Sequence, residues 1–379
     1  MLKRRYKNTD EFVSVLGLGC MRFPIKSIDG KEEIDKEKAQ EIVDYAMENG
    51  INYYDTAYMY HEGKSEQFMG EALAKYPRDS YNIVTKLPIW LVDKKEDMQK
   101  VFDEQLENLR VDYFDYYLLH ALGRGNFDKC LDFGAYEFLH KMKEQGKIKK
   151  LGFSFHDTPE VLQEIVDTYE WDFAQLQINY LDWEMQDAKR QYEILEENDI
   201  PCIVMEPVRG GTLASPCEKA NELFLKARPD KSIASWAIRY VTSLPNVLVV
   251  LSGMSTMEQL EDNIATMTNF EPLTEKDNEV IEQAVEAYKT KDVVPCTACR
   301  YCMDCPVGVD IPEMFKLYNE YAVDNDKDAY WDAYSKTDES IRAHNCIACG
   351  QCVDPCPQHI DIPEKLEMIS GIIKGINEE

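Results

Sequence analysis

Short apolar runs, each followed by an amphipathic stretch of helical period, fill the first three quarters of this 379-residue chain, and most of its 12 cysteines crowd into the last quarter. These two observations predict an α/β chain in two parts: a (β/α)8 TIM barrel over residues 1–290, then a small, mainly helical cysteine-rich domain over 291–379. A third observation favours the barrel over an open doubly wound sheet. The stretch Gly17-Leu18-Gly19-Cys20-Met21-Arg22 lacks the third glycine and the spaced acidic residue of a dinucleotide fingerprint.

The strands are expected at Val13–Cys20, Asn52–Thr56, Tyr81–Leu87, Phe114–His120, Ile148–Phe155, Phe173–Tyr180, Pro201–Val208 and Val247–Gly253. Between them, helical periodicity covers Lys36–Asn49, which stops at Gly50, then Glu66–Tyr76, Lys95–Leu109, Tyr136–Gln145, Glu160–Tyr169, Gln186–Asn198 and Ser232–Thr242, with Met257–Met267 after the last strand. Eight strand–helix units in roughly 250 residues match the size of such a barrel.

A formal net charge of −28 repels nucleic acid and anionic membrane, so both are excluded as partners. No apolar run approaches the ~20 residues of a membrane span. Phe12–Met21 follows Asp10 and Glu11 and precedes no small-residue cleavage site, so it is read as a strand and the protein as cytoplasmic.

Polar residues at the strand ends then define a candidate catalytic set. Asp55 closes the second strand and Tyr60 follows it, Lys86 ends the third in YNIVTKL, and His120 ends the fourth in FDYYLLH. In a barrel these side chains share one mouth. A phenol with an ordinary pKa of about 10, lowered by an adjacent ammonium, can trade a proton near neutral pH. Asp55 would keep Lys86 charged, and His120 would donate to a substrate carbonyl. Trp90, just past Lys86, reads equally as a pocket wall or as core, and His156 ends the fifth strand within reach of the site.

These residues lie in segments that resemble the aldo-keto reductases: LGLGC (Leu16–Cys20), YYDTAYMYHEGKSE (Tyr53–Glu66), VTKLP (Val84–Pro88), YYLLH (Tyr116–His120), LGFSFH (Leu151–His156), QLQINY (Gln175–Tyr180), MEPVRGG (Met205–Gly211) and LSGMSTMEQLEDN (Leu251–Asn263). The likeness spans about three quarters of the chain. It implies reversible hydride transfer between NADP or NAD and a carbonyl or alcohol substrate, with Tyr60 as general acid. It further implies that Gly19, Cys20 and Met21 touch the nucleotide, that Ser154 and Gln177 hold the carboxamide, and that Gly253, Ser255, Gln259 and Asn263 grip the adenosine end. The chain departs from the family at Phe155, where asparagine is usual, and at Met205, where an aromatic usually stacks on the nicotinamide. No Arg or Lys occurs between Ser252 and Asn263 to pair with a 2′-phosphate, so the choice between NAD and NADP stays open.

The last quarter carries a duplicated motif, CTACRYCMDCPVGVDIPE from Cys296 and CIACGQCVDPCPQHIDIPE from Cys346. The second copy has the C-x2-C-x2-C-x3-C-P spacing of bacterial [4Fe-4S] ferredoxins, and the first is one residue shorter before its last cysteine. A zinc site is the alternative, but zinc takes four ligands, usually as two separated pairs. Because the fourth cysteine of each run serves the other cluster in two-cluster ferredoxins, one cluster is assigned to Cys296, Cys299, Cys302 and Cys356 and the second to Cys346, Cys349, Cys352 and Cys305. Aromatics from Phe315 to Tyr334 recur at helical intervals, so two helices are expected between the copies. Cys130, Cys202 and Cys217 are read as packing or surface residues and His359 as structural.

A subgroup of the aldo-keto reductases carries such a ferredoxin-like dicluster domain, and this chain is similar to it throughout. Nicotinamides release electrons in pairs, clusters take them singly, and a flavin is the usual splitter, although no flavin motif is present. Three functions follow: an aldo-keto oxidoreductase that passes electrons to or from ferredoxin or another carrier, a plain carbonyl reductase with structural clusters, and a nicotinamide-binding redox sensor or subunit.

Overall fold

The computed structural model of the chain describes residues 1–28, 31–289 and 292–378. It divides into two compact units, Met1–Pro207 with Ala237–Leu273 and Val208–Trp236 with Thr274–Glu379. The first holds a closed barrel of eight strands: β1 (Leu16–Gly19), β2 (Tyr53–Asp55), β3 (Asn82–Leu87), β4 (Phe114–Leu122), β5 (Ile148–Phe155), β6 (Phe173–Gln177), β7 (Cys202–Met205) and β8 (Val247–Ser252). All pair in parallel, and β8 closes on β1 with Val250, Leu251 and Ser252 opposite Leu16, Gly17 and Leu18.

Each predicted strand lies over an observed one, with one division. The run Val13–Cys20 is two strands, because Ser14 turns its hydroxyl back to the Leu16 carbonyl at 2.8 Å and gives its N–H to the Asn52 side chain at 2.7 Å. Phe12–Ser14 therefore pairs antiparallel with Lys3–Arg5, and only Leu16–Gly19 joins the barrel. The glycines of that strand serve packing: a Cβ on Gly17 would sit 2.8 Å from Leu251 and 2.9 Å from Val249. They are no remnant of a dinucleotide fingerprint.

The barrel interior is rich in tyrosine and branched aliphatics. Tyr53, Val84, Tyr116, Phe173, Ile203 and Val249 form one cluster, with Tyr53 and Tyr116 meeting edge to face at 5.0 Å. Helices such as Lys36–Glu48, Lys95–Leu109 and Pro159–Thr168 surround it where the periodicity places them. Periodicity misses the short helix Asp182–Met185, the last helix Ile362–Glu378 and two others. Arg124–Phe133 follows a glycine-broken segment and forms because Phe127 and Cys130 are buried, while Glu218–Ala227 follows a proline-containing loop and buries Ala220 and Phe224. A small antiparallel pair, Ile25–Ile28 with Lys31–Ile34, is a further unpredicted element.

In the second unit Glu218–Ala227 packs on Glu275–Lys289, tied by the Arg228–Asp277 ion pair at 2.8 Å. Helices Ile311–Asp324, Lys327–Ser335 and Ile362–Glu378 enclose a core that includes Val309, Met314, Phe315, Leu366 and Ile369. The first two match the expectation from the aromatics. The repeated D-I-P-E starts a helix in each copy: Asp310 accepts the Glu313 N–H and Asp361 the Glu364 N–H, both at 3.2 Å, with proline in the first turn. Among the described residues no helix is long and apolar enough to cross a membrane.

Gly152 on β5 faces Phe173 so closely that a Cβ would lie 2.5 Å from its carbonyl oxygen. Since backbone cannot yield as a side-chain tip can, Gly152→Ala is expected to cost about 1–3 kcal/mol and lower the barrel's thermal midpoint by several degrees, measured by circular dichroism.

Candidate active site and cysteine sites

Lys86 is the hub of the barrel mouth. Its ammonium is buried and donates to Asp55 Oδ1 at 2.7 Å, to the Thr56 carbonyl at 2.7 Å and to Tyr60 Oη at 3.3 Å. Its three protons therefore have three acceptors. The side chains of Lys86 and Asp55 are only 1% and 4% exposed. Burial pushes the Asp55 carboxyl upward and the Lys86 charge pulls it back. His120 completes the group, its ring 6.2 Å from that of Tyr60 and 5.0 Å from that of Trp90. Burial, then Lys86 and His156, holds the His120 imidazole well below its usual range, so it is neutral and keeps one N–H to donate.

Strand β3 is fixed from behind by a buried polar network that sequence reasoning missed. Gln105 donates to the Lys86 carbonyl at 2.9 Å and to Glu66 at 2.8 Å, and Thr85 also donates to Glu66. The Glu66 carboxyl is raised by this burial. Its signal in the sequence is faint, a glutamate on the apolar face of a helix. The loop that carries Tyr60 is held from two sides: Ser65 Oγ donates to the Cys20 carbonyl at 3.0 Å, and His61 Nε2 accepts the Phe23 N–H at 3.2 Å.

The residues expected at the nucleotide have these surroundings. Gly19 and Gly253 approach one another, with 3.4 Å from a Cβ on Gly19 to the Gly253 nitrogen. Cys20 is fully buried, its thiol raised by burial and then by Asp55, and Met21 is half-buried beyond it. Ser154 Oγ accepts the Ala121 N–H at 2.7 Å and so steadies the turn after His120. Gln177 donates to Asp182 at 2.8 Å, and Met205 Sδ lies 3.6 Å from the Gln175 amide. Ser255 and Gln259 are joined at 2.8 Å, and Asn263 donates to Ser252 Oγ at 3.0 Å. Thr256 caps the helix Met257–Thr268, whose N-terminus follows this loop. A basic residue does lie beside this loop: Arg22 gives its carbonyl to Ser255 Oγ at 2.6 Å, lies against Gly253 and pairs with Glu206 at 3.6 Å.

The cysteines group as two sets of four. Burial raises the Cys302 thiol, and Cys299, Cys296 and Cys356 raise it further; Cys352 is raised by burial and by Cys346, Cys305 and Cys349. Cys296, Cys299, Cys302 and Cys356 line one concave site together with Arg300 and Phe315. Among the described residues no three His, Cys, Asp or Glu side chains converge as a single metal ion requires. The backbone repeats as well. Ala298 and Ala348 sit at φ 53° and 52° and direct N–H groups at Cys296 and Cys346 Sγ, both at 3.4 Å, while Arg300 matches Gly350 and Gly308 matches His359, all at positive φ. Four soft thiols around a hollow, with amides turned toward sulfur, fit an iron–sulfur cluster. Cys130, Cys202 and Cys217 are buried, and burial pushes the Cys130 thiol up to about 12.

Burial holds His61 down to about 4. Between a free imidazole's 6.5 and this value the unfolded chain binds more protons than the folded one, so stability falls as pH falls through that window. At pH 5 the cost amounts to about 2 kcal/mol. His61→Gln, which can still accept from Phe23, is expected to show a smaller drop in thermal midpoint from pH 7 to pH 5.

A model of the Aldo/keto reductase family matches residues 15–286, and one of the 4Fe-4S dicluster domain matches residues 295–360. The chain is 28% identical over 312 residues to the uncharacterized oxidoreductase YqkF of Bacillus subtilis, covering 74% of this chain and 96% of that protein. It is 26% identical over 304 residues to the NADH-specific methylglyoxal reductase of Escherichia coli, covering 68% and 91%. The holo form of the aldo-keto reductase AKR11C1 from Bacillus halodurans superposes with a TM-score of 0.61 at 25% identity, covering 75% of this chain and 96% of that one. With nearly three quarters of its length matched, and oxidoreductases among its relatives, the chain belongs to the aldo/keto reductase family of NAD(P)-dependent oxidoreductases and carries a 4Fe-4S dicluster domain.

Proposed function

We propose that this protein interconverts a carbonyl and an alcohol by reversible hydride transfer with NADP or NAD, Tyr60 acting as general acid and base, and that two [4Fe-4S] clusters exchange single electrons with ferredoxin or another carrier. The observation that carries the first part is the set of donations from Lys86 to Asp55, Thr56 and Tyr60. A phenol that accepts a hydrogen bond from an ammonium keeps its own proton for a partner, and the same ammonium stabilises negative charge on Oη once that proton has left. His120, neutral, donates to the carbonyl oxygen and orients it, Trp90 walls the pocket beside it, and Asp55 keeps Lys86 charged.

A nicotinamide bound at this mouth supplies the hydride, and clusters held by the cysteines take up and release single electrons. Ser154 and Gln177 are proposed to hold the carboxamide, Gly19, Cys20, Met21 and Met205 to line the ring and ribose, and Gly253, Ser255, Gln259 and Asn263 to hold the adenosine end. Cys296, Cys299, Cys302 and Cys356 are proposed for one cluster and Cys346, Cys349, Cys352 and Cys305 for the other. The cytoplasm is the proposed location, and residue 290 the proposed boundary between barrel and cluster domain. It falls between the two family matches. A second reading, clusters as structural staples, draws support from Cys356, which lies in the core of the small domain.

Tyr60→Phe is expected to lower kcat/KM for a test aldehyde by about 10²–10⁴ while nicotinamide binding changes only a few-fold, measured by steady-state kinetics and fluorescence titration. Addition of NADH or NADPH to anaerobic protein is expected to bleach the broad iron–sulfur absorption. An unmoved band with aldehyde reduction intact would favour the staple. Cys305→Ser is expected to alter the electron paramagnetic resonance of the cluster held by the second run, and a change confined to the first run's cluster would refute the exchanged ligand.

A further inference from the structure

The duplicated motif lets one copy serve as a control for the other. Thr297, Ala298 and Cys299 correspond to Ile347, Ala348 and Cys349. In the first copy Thr297 is buried at 3% exposure and the next two residues are half-buried; in the second all three are exposed. Ile347, at 62%, is the most exposed large apolar side chain among the described residues. The cover over the first copy comes from the loop Arg209–Ala214, where Gly210 sits at φ 63° and a Cβ would lie 2.5 Å from the Thr297 carbonyl oxygen. Only glycine allows that approach.

Charge differs less: Asp304, Asp310 and Glu313 of the first copy match Asp354, Asp361 and Glu364 of the second, and Arg300 of the first is Gly350 in the second. From Thr337 to Lys365 the acids are Asp338, Glu339, Asp354, Asp361 and Glu364, against Lys365 and Arg342. That guanidinium is spent within the chain, donating to the Ser335 and Thr337 carbonyls at 2.8 Å and lying over the Tyr334 ring. An exposed isoleucine on an acidic stretch of a chain of net charge −28 suits a partner with an apolar contact ringed by lysine and arginine.

We infer that the second cysteine set is the electron port: a one-electron carrier protein with a basic docking face meets the chain at Ile347–Cys349, and the loop Arg209–Ala214 closes the first set to it. This rests on the proposal that both sets hold clusters. The step at the port is a single electron leaving the reduced cluster for the carrier's oxidised cofactor, with no bond made or broken and no proton moved. Two carriers therefore serve each electron pair.

The test reduces the anaerobic holoprotein with dithionite, removes the excess and mixes it in stopped flow with oxidised cytochrome c, a basic one-electron carrier, following both haem reduction and cluster reoxidation. Ile347→Lys is expected to slow transfer roughly tenfold at low salt, the wild-type rate to fall as salt rises, and Leu131→Lys, an exposed apolar residue of the barrel, to change nothing. Iron content and reoxidation by ferricyanide, which needs no protein docking, should stay at wild-type values. Should Ile347→Lys lose iron, Ile347→Thr, which copies Thr297, is read in its place and should slow transfer about threefold. An unchanged rate in the variant with iron retained, a rate indifferent to salt, or equal slowing in Leu131→Lys would overturn the port. Failure of the underlying proposal looks different: iron short of two clusters in the wild type, or no bleaching by NADH or NADPH while dithionite-driven transfer proceeds.

Discussion

An ammonium buried at the mouth of a barrel is tolerable only if each of its protons is accepted, because removing such a charge from water costs several kcal/mol even after relaxation. Lys86 meets that condition with one carboxylate, one backbone carbonyl and one phenol. The requirement propagates outward. Asp55 must end β2 beside β3, the turn after Asp55 must present the Thr56 carbonyl, and the following loop must return Tyr60 within reach. Behind the strand, Gln105 holds the Lys86 carbonyl while Glu66 and Thr85 fix Gln105. The chemistry of the site and the satisfaction of one buried cation are the same geometry seen from two sides.

The small unit solves a comparable problem by repetition. Thiols that must surround a hollow cannot be placed by a regular helix or strand, so the backbone visits positive φ at matched points of both copies, and alanine and arginine accept that conformation alongside glycine and histidine. Strain at non-glycine residues persists where the surroundings over-determine it. Here each run is bracketed by a helix that its own D-I-P-E starts, and the core of Phe315, Leu366 and Ile369 locks those helices together.

Repetition does not make the two copies equivalent. In one, Thr297 lies under a loop drawn from the sequence of the barrel, and in the other the matching Ile347 faces solvent. Residues Val208–Trp236, inside the stretch matched by the reductase family, belong by packing to the unit that holds the cysteines. An element that reads as one domain in sequence thus furnishes part of another's surface.

The sequence by itself determined the fold class and singled out four polar residues at the strand ends and eight cysteines in two runs, because each rests on local pattern: a period of two or 3.6, a polar residue ending an apolar run, a cysteine spacing. Tertiary structure alone decided what depends on residues distant in the chain: the division of the first apolar run by Ser14 and Asn52, the Glu66–Gln105 brace, the place of Arg22 beside Gly253, and the helix Arg124–Phe133, whose glycine-broken sequence folds because Phe127 needs burial. The inequality of the two cysteine runs belongs here too, since their spacings are nearly alike and the approach of Gly210 to Thr297 buries in one run the position that Ile347 exposes in the other. Local pattern reports what a residue prefers, and burial and pairing across long sequence separations settle which preference is met.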